Sequence, residues 1–565
     1  MDGAKRGLQG PSACGAETEG LEKPEGAGQG AGETSSVLHS TFVMACATTL
    51  SRLTGFVRTW AMAFALGNTV LASAYQVAFN VPNMLYELVA GGILTTAFLP
   101  VYLSVKSSRG DGAAWRFASN LFNIALVALG AVVILATLFA PQVIATQTFM
   151  TPGESADQAV FFFRFFAVQV LFLGLGALAG GILNAHRCYF WPNVSAAFNN
   201  LVVIVTFFGY VPLSAWDAGF ARVWLAVGTT LGSVAMFACL VPSLMKVGIS
   251  YTPRIDLHDP ALREVARIAL PVVVFTVANL VAVSFRNAFA LDVAANGPST
   301  IQYAWMWYQL PYGIVAAALS IALFTELSDF AAQGNWARFK EMLLRGVRLT
   351  VFLIVPLASA LMALAYPLVS LYHAGEFTEA DVALVAQVLF WWGTTLPLYA
   401  VYMYLYRVFS ALKDLVTLTK VDVALRVVNI ACYVVLTSGW GPFEGLGMIG
   451  IPLADTVFYV LMNAALLFML QRRVGSVASR PLVLFVAKAS VAAVAGGFAG
   501  HALLQAVFGG VSGMVPTLAA IVACGVAVVG VYGLASWALR IPEASSLAQA
   551  FRRRKGEGGE GRHGD

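Results

Sequence analysis

Charged residues are scarce in this sequence. Only 11% of its 565 residues are Asp, Glu, Lys or Arg, whereas 59% are hydrophobic, and soluble domains typically carry about 25% charged residues. Because a water-soluble protein must cover its surface with polar side chains, the composition excludes an ordinary soluble domain. The net charge of +5 is small and its basic residues cluster between long apolar runs, so we expect no nucleic-acid partner.

The residues that build metal and redox centres are also few. The chain has six histidines, which are scattered, and six cysteines without a Cys-x-x-Cys pair. The cysteines fall mostly in apolar runs and read as small hydrophobic residues, so they predict neither a disulfide framework nor a zinc site. We therefore expect no metal centre and no cofactor. The cysteines are Cys14, Cys46, Cys188, Cys239, Cys432 and Cys524.

Residues 1–36 are rich in Gly, Ala, Glu and Ser and lack apolar periodicity, which predicts a disordered tail. The glycines from Gly26 to Gly32 superficially suggest a phosphate loop, but no strand precedes them and no Lys-Ser/Thr pair follows. The first apolar segment is too long and too far from the start for a signal peptide, and many more spans follow it.

Apolar stretches of about 20 residues or more repeat from Val37 onward, long enough to cross a ~30 Å hydrocarbon core. Stretches rich in Gly and Ala do not suit the ~10-residue alternating strands of a β-barrel, so helices remain as the way to satisfy the backbone in lipid. The sequence predicts an all-α polytopic membrane protein with about fourteen transmembrane helices. The predicted spans are 37–66, 70–105, 117–142, 157–184, 190–213, 221–247, 264–292, 299–328, 342–371, 381–411, 416–437, 446–470, 480–506 and 512–538.

The basic residues predict the orientation in the membrane. Every second connection carries Lys or Arg, and the final segment, 539–565, is a basic tail; Arg222 is the main exception. By the positive-inside rule both termini are cytoplasmic, which requires an even number of spans. The basic connections hold Lys106, Arg109 and Arg116; Arg187; Lys246, Arg254, Arg263 and Arg267; Arg338, Lys340 and Arg345; Lys413 and Lys420; Arg472, Arg473 and Arg480.

A polar connection at residues 248–263 divides the chain and is predicted to be a cytoplasmic linker. It separates a six-span N-terminal lobe, residues 37–247, from a C-terminal lobe, residues 264–470, and a final pair of helices in 471–538. A faint repeat between Tyr75–Pro82 and Tyr303–Pro311 favours two six-helix lobes, which is a transporter-like plan.

Two arginines lie well inside the first predicted span. Arg52 and Arg58 are six residues apart, which separates them by about 120° around a helix. A charged side chain at membrane depth costs ~2.5–3.5 kcal/mol on insertion scales. Both could snorkel to the surface or pair with an acid, but no acid is near in sequence. We favour a water-filled cationic cavity, in which guanidinium groups match phosphate oxygens.

The second predicted span combines Pro82 with the glycine pair Gly91 and Gly92. These residues suit close helix packing, and equally a flexible helix whose polar residues line a path. Asn83 and Glu87, together with Asn80, would form that polar face.

Further polar residues lie in spans seven, eleven and twelve. Arg286 either lines a cavity or pairs with Asp292, and Asp422 with Arg426 at i and i+4 predicts an internal ion pair. Asn429 and Asp455 suit either oxygen ligation of a cation or a hydrogen bond between helices. The tryptophans, including Trp305, Trp307, Trp391 and Trp392, are typical of interfaces and packing.

The same segments resemble the MurJ/MviN family, the lipid II flippases of the multidrug/oligosaccharidyl-lipid/polysaccharide exporter superfamily. The resemblance is colinear from about residue 40 to 470, and the Tyr86-Glu87-Leu88 and Gly91-Gly92 variants are similar to actinobacterial members. The matching motifs are Ser51 to Arg58, Leu85 to Ala97 with Pro82-Asn83 before it, Tyr308 to Ile314, Gly375 to Thr378 and Arg407 to Asp414.

The resemblance implies two six-helix lobes around a central cationic cavity, with the last two helices forming a groove for a polyprenyl tail. Ser73 replaces a common Asp, Tyr86 a common Arg, and Trp305-Met306 a frequent Asp-Arg pair; the family's cation site maps onto Asn429 and Asp455, with Tyr433 where an acid can occur. The residues that we predict to bind substrate are Arg52, Arg58, Asn83, Glu87, Gly91, Gly92, Arg286 and Gln309.

The expected function is that of a flippase in the bacterial plasma membrane, which moves lipid II from the inner to the outer leaflet by alternating access. Lipid II and membrane lipids are the expected partners; a monovalent cation such as Na⁺ and cell-wall synthases are left open. A drug or cation antiporter would need more acids in its lobes, and a polysaccharide-lipid exporter is disfavoured only by the motifs. No paired carboxylates or activated nucleophile indicate an enzyme, so we predict no catalytic residue.

Overall fold

The computed structural model describes residues 49–87, 98–149, 151, 153–186, 188–440, 442–475, 480–510 and 513–544. The predicted N-terminal tail at 1–36, the glycines Gly91 and Gly92, and the basic residues after 544 lie outside the described residues.

The described chain is a series of α-helices. The two-residue strands β1 (Gly439–Trp440) and β2 (Phe443–Glu444) pair antiparallel in a short hairpin. π-helical turns span Tyr312–Ala316 and Val434–Ser438, and a 3₁₀ turn spans Gly447–Ile449. The helices are α1 (49–66), α2 (Val70–Glu87), α3 (Leu99–Arg109), α4 (Asp111–Leu138), α5 (Ala140–Thr148), α6 (Glu154–Phe166), α7 (Gln169–Ala185), α8 (Phe190–Trp216), α9 (Ala218–Ala238), α10 (Val241–Val247), α11 (Pro260–Val293), α12 (Gly297–Pro311), α13 (Ala317–Ala332), α14 (Trp336–Ala363), α15 (Ala365–Ser370), α16 (Glu379–Ala411), α17 (Leu415–Tyr433), α18 (Gly450–Val474), α19 (Arg480–Phe508) and α20 (Met514–Ala538).

The prediction of an all-α membrane protein is confirmed. Among the described residues, 11 helical segments are long and apolar enough to cross a membrane, and the pair α6–α7, bent by 44°, gives up to 12. These segments correspond in order to the third to fourteenth predicted spans. The first two predicted spans, 37–66 and 70–105, include residues that the structure does not describe, so the count of fourteen stays a prediction.

Several helices begin with side-chain caps, which satisfy N–H groups that the helix itself leaves unpaired. In α16, Thr378 and Asp381 form a reciprocal capping box, the arrangement that satisfies two such donors at once. Asp217 accepts a hydrogen bond from the backbone N–H of Phe220 at the start of α9. Short polar segments between apolar runs therefore fix where these spans begin.

The chain forms two compact units. The first contains the described residues within 1–65, 78–144 and 159–276. Its core lies where α3, α4 and α7 pack together, and Phe98 stands at its centre, with its ring 5.5 Å from that of Tyr102 and 5.9 Å from that of Phe117. Leu178, Ile182 and Leu244 close the same apolar cluster.

The second unit contains residues 66–77, 145–158 and the described residues from 277 onward. Helices α14, α16, α18 and α19 form its centre, with Trp392 and Tyr404 completely buried. Tight packing at Gly346 of α14 lets the ring of Tyr404 lie against the backbone, where an added Cβ would overlap the phenol.

A buried polar cluster joins residues 66–77 to α12 within the second unit. Asn68 donates to the hydroxyl of Thr300 at 2.9 Å and accepts from Ser299 at 2.6 Å. The hydroxyls of Ser73 and Ser299 lie 3.0 Å apart. Ser73, which the resemblance places where an Asp is common, is therefore part of a packed interface between helices.

Candidate functional site

Helix α1 carries the two predicted cavity arginines. Arg58 is half-buried, and its guanidinium carbon lies 4.8 Å from the ring centre of Phe79 in α2, a favourable cation–π distance. Arg52 is exposed and forms no ion pair with any acid that the structure describes. Its donors are therefore available to an anion.

An asparagine on α8 holds the beginning of α1. The Nδ2 atom of Asn200 donates to the carbonyl of Ser51 at 3.3 Å and to the hydroxyl of Thr54 at 3.1 Å. Because these contacts flank Arg52, Asn200 orients the turn that carries it. We did not select Asn200 from the sequence, where its only signal is an amide within an apolar run.

The predicted polar face of α2 is only partly described. Asn83 is half-buried and donates from Nδ2 to the carbonyl of Phe79 at 2.7 Å, so one of its amide hydrogens is used within its own helix. Tyr86 is half-buried and Glu87 is the last residue of the helix. The roles predicted for Asn83, Glu87, Gly91 and Gly92 stay predictions.

Arg286 lies against an aromatic wall in the second unit. Its guanidinium carbon is 5.4 Å from the ring centre of Trp305, which stacks on Tyr308 with 5.0 Å between centroids. The alternative pairing with Asp292 is wrong: Asp292 is exposed, and the two form no salt bridge among the described residues. The buried Nε of Arg286 has no hydrogen-bond partner there, so the guanidinium keeps donors for a ligand.

Gln309 and Met306 lie on the same helix as this wall, and both are half-buried. The side-chain amide of Gln309 makes no hydrogen bond within the described part of the chain. Pro311 follows at the end of α12, and the chain continues as the π-helical turn Tyr312–Ala316. Proline removes a backbone donor from the helix, and π-helical turns are frequent at functional sites.

The predicted ion pair between Asp422 and Arg426 is confirmed, with 3.4 Å between Arg426 Nε and Asp422 Oδ2. The phenol of Tyr402 donates to the other oxygen of Asp422 at 3.3 Å. The guanidinium carbon of Arg426 also lies 4.0 Å from the ring centre of Phe458. This arginine is therefore held in place by an acid and a ring inside the second unit.

Asp455 is buried and accepts hydrogen bonds at both of its oxygens. Trp392 Nε1 donates to Oδ2 at 3.0 Å, and the phenol of Tyr433 donates to Oδ1 at 2.5 Å. Asn429 donates from Nδ2 to the carbonyl of Ala454 at 3.3 Å, and its buried Oδ1 has no partner in the described chain. Asn429 and Asp455 thus belong to a contact between α17 and α18.

Two arginines belong to the same part of the second unit. Arg426 pairs with Asp422, and Arg286 lies against the ring of Trp305, which is 5.5 Å from that of Trp392. The hydrogen bonds from Trp392 and Tyr433 occupy both oxygens of Asp455 that a cation would use. In the described residues no group of three or more His, Cys, Asp or Glu side chains is placed to hold a metal ion.

An apolar groove of about 1110 Å³ lies between α14, α16 and α19 in the second unit. Val355, Met362, Phe390, Val494 and Phe498 contribute apolar walls, whereas His501 and Gln505 add polar groups. The last two helices were expected to form a groove, but α20 lines none of this one. It packs instead on another face of α19, where Gly496 and Gly500 lie against Val528.

Known proteins resemble the chain over most of its length. A family model described as "Lipid II flippase MurJ" matches residues 62–519. The probable lipid II flippase MurJ of Rhizobium meliloti (strain 1021) is 28% identical over 431 residues, which cover 75% of this chain and 78% of the relative. The lipid II flippase MurJ of Burkholderia cenocepacia is 25% identical over 389 residues, covering 68% and 75%.

Solved structures share the fold. A lipid II flippase MurJ in an inward closed conformation has a TM-score of 0.71 at 21% identity, covering 88% of this chain and 99% of that one. An inward-facing multidrug resistance MATE family transporter has a TM-score of 0.65 at 15% identity, covering 76% and 95%. At these identities the similarity is one of fold.

Proposed function

The chain belongs to the lipid II flippase MurJ family, and we propose that it moves lipid II from the cytoplasmic to the outer leaflet of the bacterial plasma membrane. The observation that carries this proposal is the family match over residues 62–519. Both termini are cytoplasmic in this proposal, as the distribution of Lys and Arg predicts.

We assign recognition of the diphosphate in the anionic head group of lipid II to arginines of the membrane spans. Arg52 has no acid partner in the described chain, and Arg286 keeps a buried Nε without an acceptor. A guanidinium group presents five N–H donors in a fork that matches phosphate oxygens. We propose that Arg52 and Arg58 of the first unit contact the anionic head group during the transport cycle. We propose the same role separately for Arg286 of the second unit, with Gln309 as a further donor and acceptor.

We assign the polyprenyl tail of lipid II to the groove between α14, α16 and α19. The basic residues at the start of α14 and α19, including Lys340 and Arg480, predict that these helices begin on the cytoplasmic side. The groove is lined by residues 355–367 of α14 and α15 and 490–505 of α19, which then lie toward the outer leaflet. An apolar groove at this depth suits a hydrocarbon chain because its walls need no hydrogen-bond partners.

The transport cycle that we propose is alternating access between inward-open and outward-open states. The membrane potential, negative inside, favours export of the anionic head group by ~2.3 kcal/mol per charge and 100 mV, provided that the charges of the protein stay in place. Because both oxygens of Asp455 already accept hydrogen bonds, we propose a cycle without a co-transported cation.

Reconstitution tests the proposal directly. The purified full-length chain is placed in vesicles that contain lipid II, and a membrane-impermeant probe measures how much lipid II reaches the opposite leaflet. We expect faster exchange than in protein-free vesicles. The same vesicles, loaded with a cationic drug, test the antiporter alternative. Drug efflux without lipid II exchange would contradict the proposal and favour that alternative.

A further inference from the structure

The first unit contains a small polar cavity that none of the residues proposed for lipid II transport lines. It has a volume of about 240 Å³ and lies where α3 ends, α4 begins and the segment before α11 passes. Three arginines line it, Arg109, Arg116 and Arg254, and two acids, Asp256 and Asp259. A cavity of this kind takes small, highly charged ligands.

The two acids are committed to other groups. Asp256 accepts from the guanidinium of Arg254 at 3.1 Å and from the backbone N–H of His258 at 3.0 Å. Asp259 accepts from the backbone N–H of Ala261 at 2.9 Å, at the beginning of α11. Asp256 is thus paired with Arg254, whereas Asp259 keeps its charge at the start of α11; with three arginines and two acids the cavity has one net positive charge.

The other two arginines have no such partner. Arg109 and Arg116 form neither a hydrogen bond nor an ion pair with any residue in the part of the chain that the structure describes. The nearby acid Asp111 pairs with Lys106, with 3.3 Å between Lys106 Nζ and Asp111 Oδ1. Both residues are exposed and line the cavity, and no protein acceptor in the described chain occupies their guanidinium groups.

Hydrogen bonds hold another part of the cavity lining in place. Asn120, which is only 5% exposed, donates to the carbonyl of Asp256 at 2.8 Å and accepts from its backbone N–H at 2.7 Å. Asn123 donates to the carbonyls of Thr252 and Arg254, both at 3.0 Å. These bonds fasten the segment before α11 to α4, so the cavity keeps its shape without a ligand.

We propose that this cavity binds a phosphate group. Two unpaired guanidinium groups supply charge-assisted and bidentate hydrogen bonds, which phosphate oxygens accept. The positive-inside rule places the cavity at the cytoplasmic surface, where the phosphate can belong to an anionic phospholipid or to a soluble ion. Bound phosphate would join α3 and α4 to the predicted linker at residues 248–263.

Thermal unfolding of the full-length protein tests the site, because a ligand that binds only the folded state raises the unfolding temperature. One arm titrates inorganic phosphate against the protein in a zwitterionic-lipid nanodisc. The other compares nanodiscs of phosphatidylglycerol and phosphatidylcholine without phosphate. Stabilisation in the first arm identifies a soluble ion, and stabilisation in the second identifies a lipid head group.

Variants connect the effect to the cavity. R109Q together with R116Q should weaken phosphate binding about tenfold or more, because each substitution removes charge-assisted hydrogen bonds. R116K keeps the positive charge but loses the guanidinium fork, so its affinity should lie between those of the parent and the double variant. R222Q, which changes an exposed arginine of α9, is the matched control, and its unfolding temperature should respond to the ligand as that of the parent does.

The proposal is overturned if neither arm stabilises the parent protein, or if the double variant responds as the parent does in the arm that works. The ligand-free unfolding temperature of each variant separates loss of binding from loss of folding. If the double variant does not fold, R116K takes its place in the comparison with the parent. Lipid II exchange is measured in parallel; its presence or absence leaves this result unchanged.

Discussion

The indole Nε1 of Trp392 donates a 3.0 Å hydrogen bond to Oδ2 of Asp455, joining α16 to α18 inside the second unit. Tyr433 occupies the other oxygen of the carboxylate. Two neutral donors therefore occupy the buried carboxylate, and hydrogen bonds to a charged group stabilise it. The residues that the family resemblance marks as a cation site form a hydrogen-bonded contact between helices in this chain, in which Oδ1 of Asn429 lacks a partner among the described residues.

Transport should therefore be independent of Na⁺. We expect lipid II exchange in reconstituted vesicles to proceed at the same rate in sodium buffer and in choline buffer. The measurement is the initial rate with the impermeant probe, at matched ionic strength and without a membrane potential. A requirement for Na⁺ would show that Asn429 and Asp455 open to hold an ion during the cycle.

Replacing the arginines of α1 should strongly impair transport. Arg52→Ala and Arg58→Ala should each lower the exchange rate by about tenfold or more, since charged hydrogen bonds are worth about 1.5–3 kcal/mol each. The measurement is growth of a flippase-depleted bacterium that expresses each variant, with the amount of membrane-inserted protein as a check. Arg222→Ala, on the exposed side of α9, is the control. Full complementation by both α1 variants would contradict the proposal that these arginines bind the anionic head group.

Filling the apolar groove should impair transport selectively. Val494 lines the groove, whereas Val491 lies on the same helix, is similarly exposed (62% against 56%) and does not line it. We expect Val494→Trp to slow exchange of long-chain lipid II because the indole occupies the space of the tail. Val491→Trp should have little effect, since its side chain faces lipid. Equal exchange rates for the two variants would place the tail elsewhere.

Gly346 should be essential for packing in the second unit. An added Cβ would overlap the phenol of Tyr404 on the neighbouring helix, so Gly346→Ala should lower stability by about 1–3 kcal/mol through overpacking. Thermal unfolding of the purified protein provides the measurement. Gly530→Ala, on α20, meets no atom within 4 Å and should be neutral or slightly stabilising because alanine favours helix. If both variants unfold at the parent temperature, α14 and α16 have room to separate.

Much of the architecture could be predicted from local patterns. The third to fourteenth spans correspond to helices in the structure because about 20 consecutive apolar residues can cross a bilayer only as a helix that satisfies its own backbone. The pair Asp422 and Arg426 could be predicted for a similar reason, since side chains four residues apart on one helix are neighbours. Both conclusions need only short stretches of sequence.

The partners of the functional side chains could not be predicted in this way. Asn200 contacts Ser51, and Ser73 contacts Ser299, across separations of 149 and 226 residues. The sequence alone determined that the chain is a helical membrane protein and which family it resembles. Only the tertiary structure decided that Asp455 is closed by Trp392 and Tyr433, and that α19 forms its groove with α14 and α16. These contacts depend on which faces of distant helices pack together. The sequence does not identify those faces, because many positions are apolar enough to be buried in such a contact.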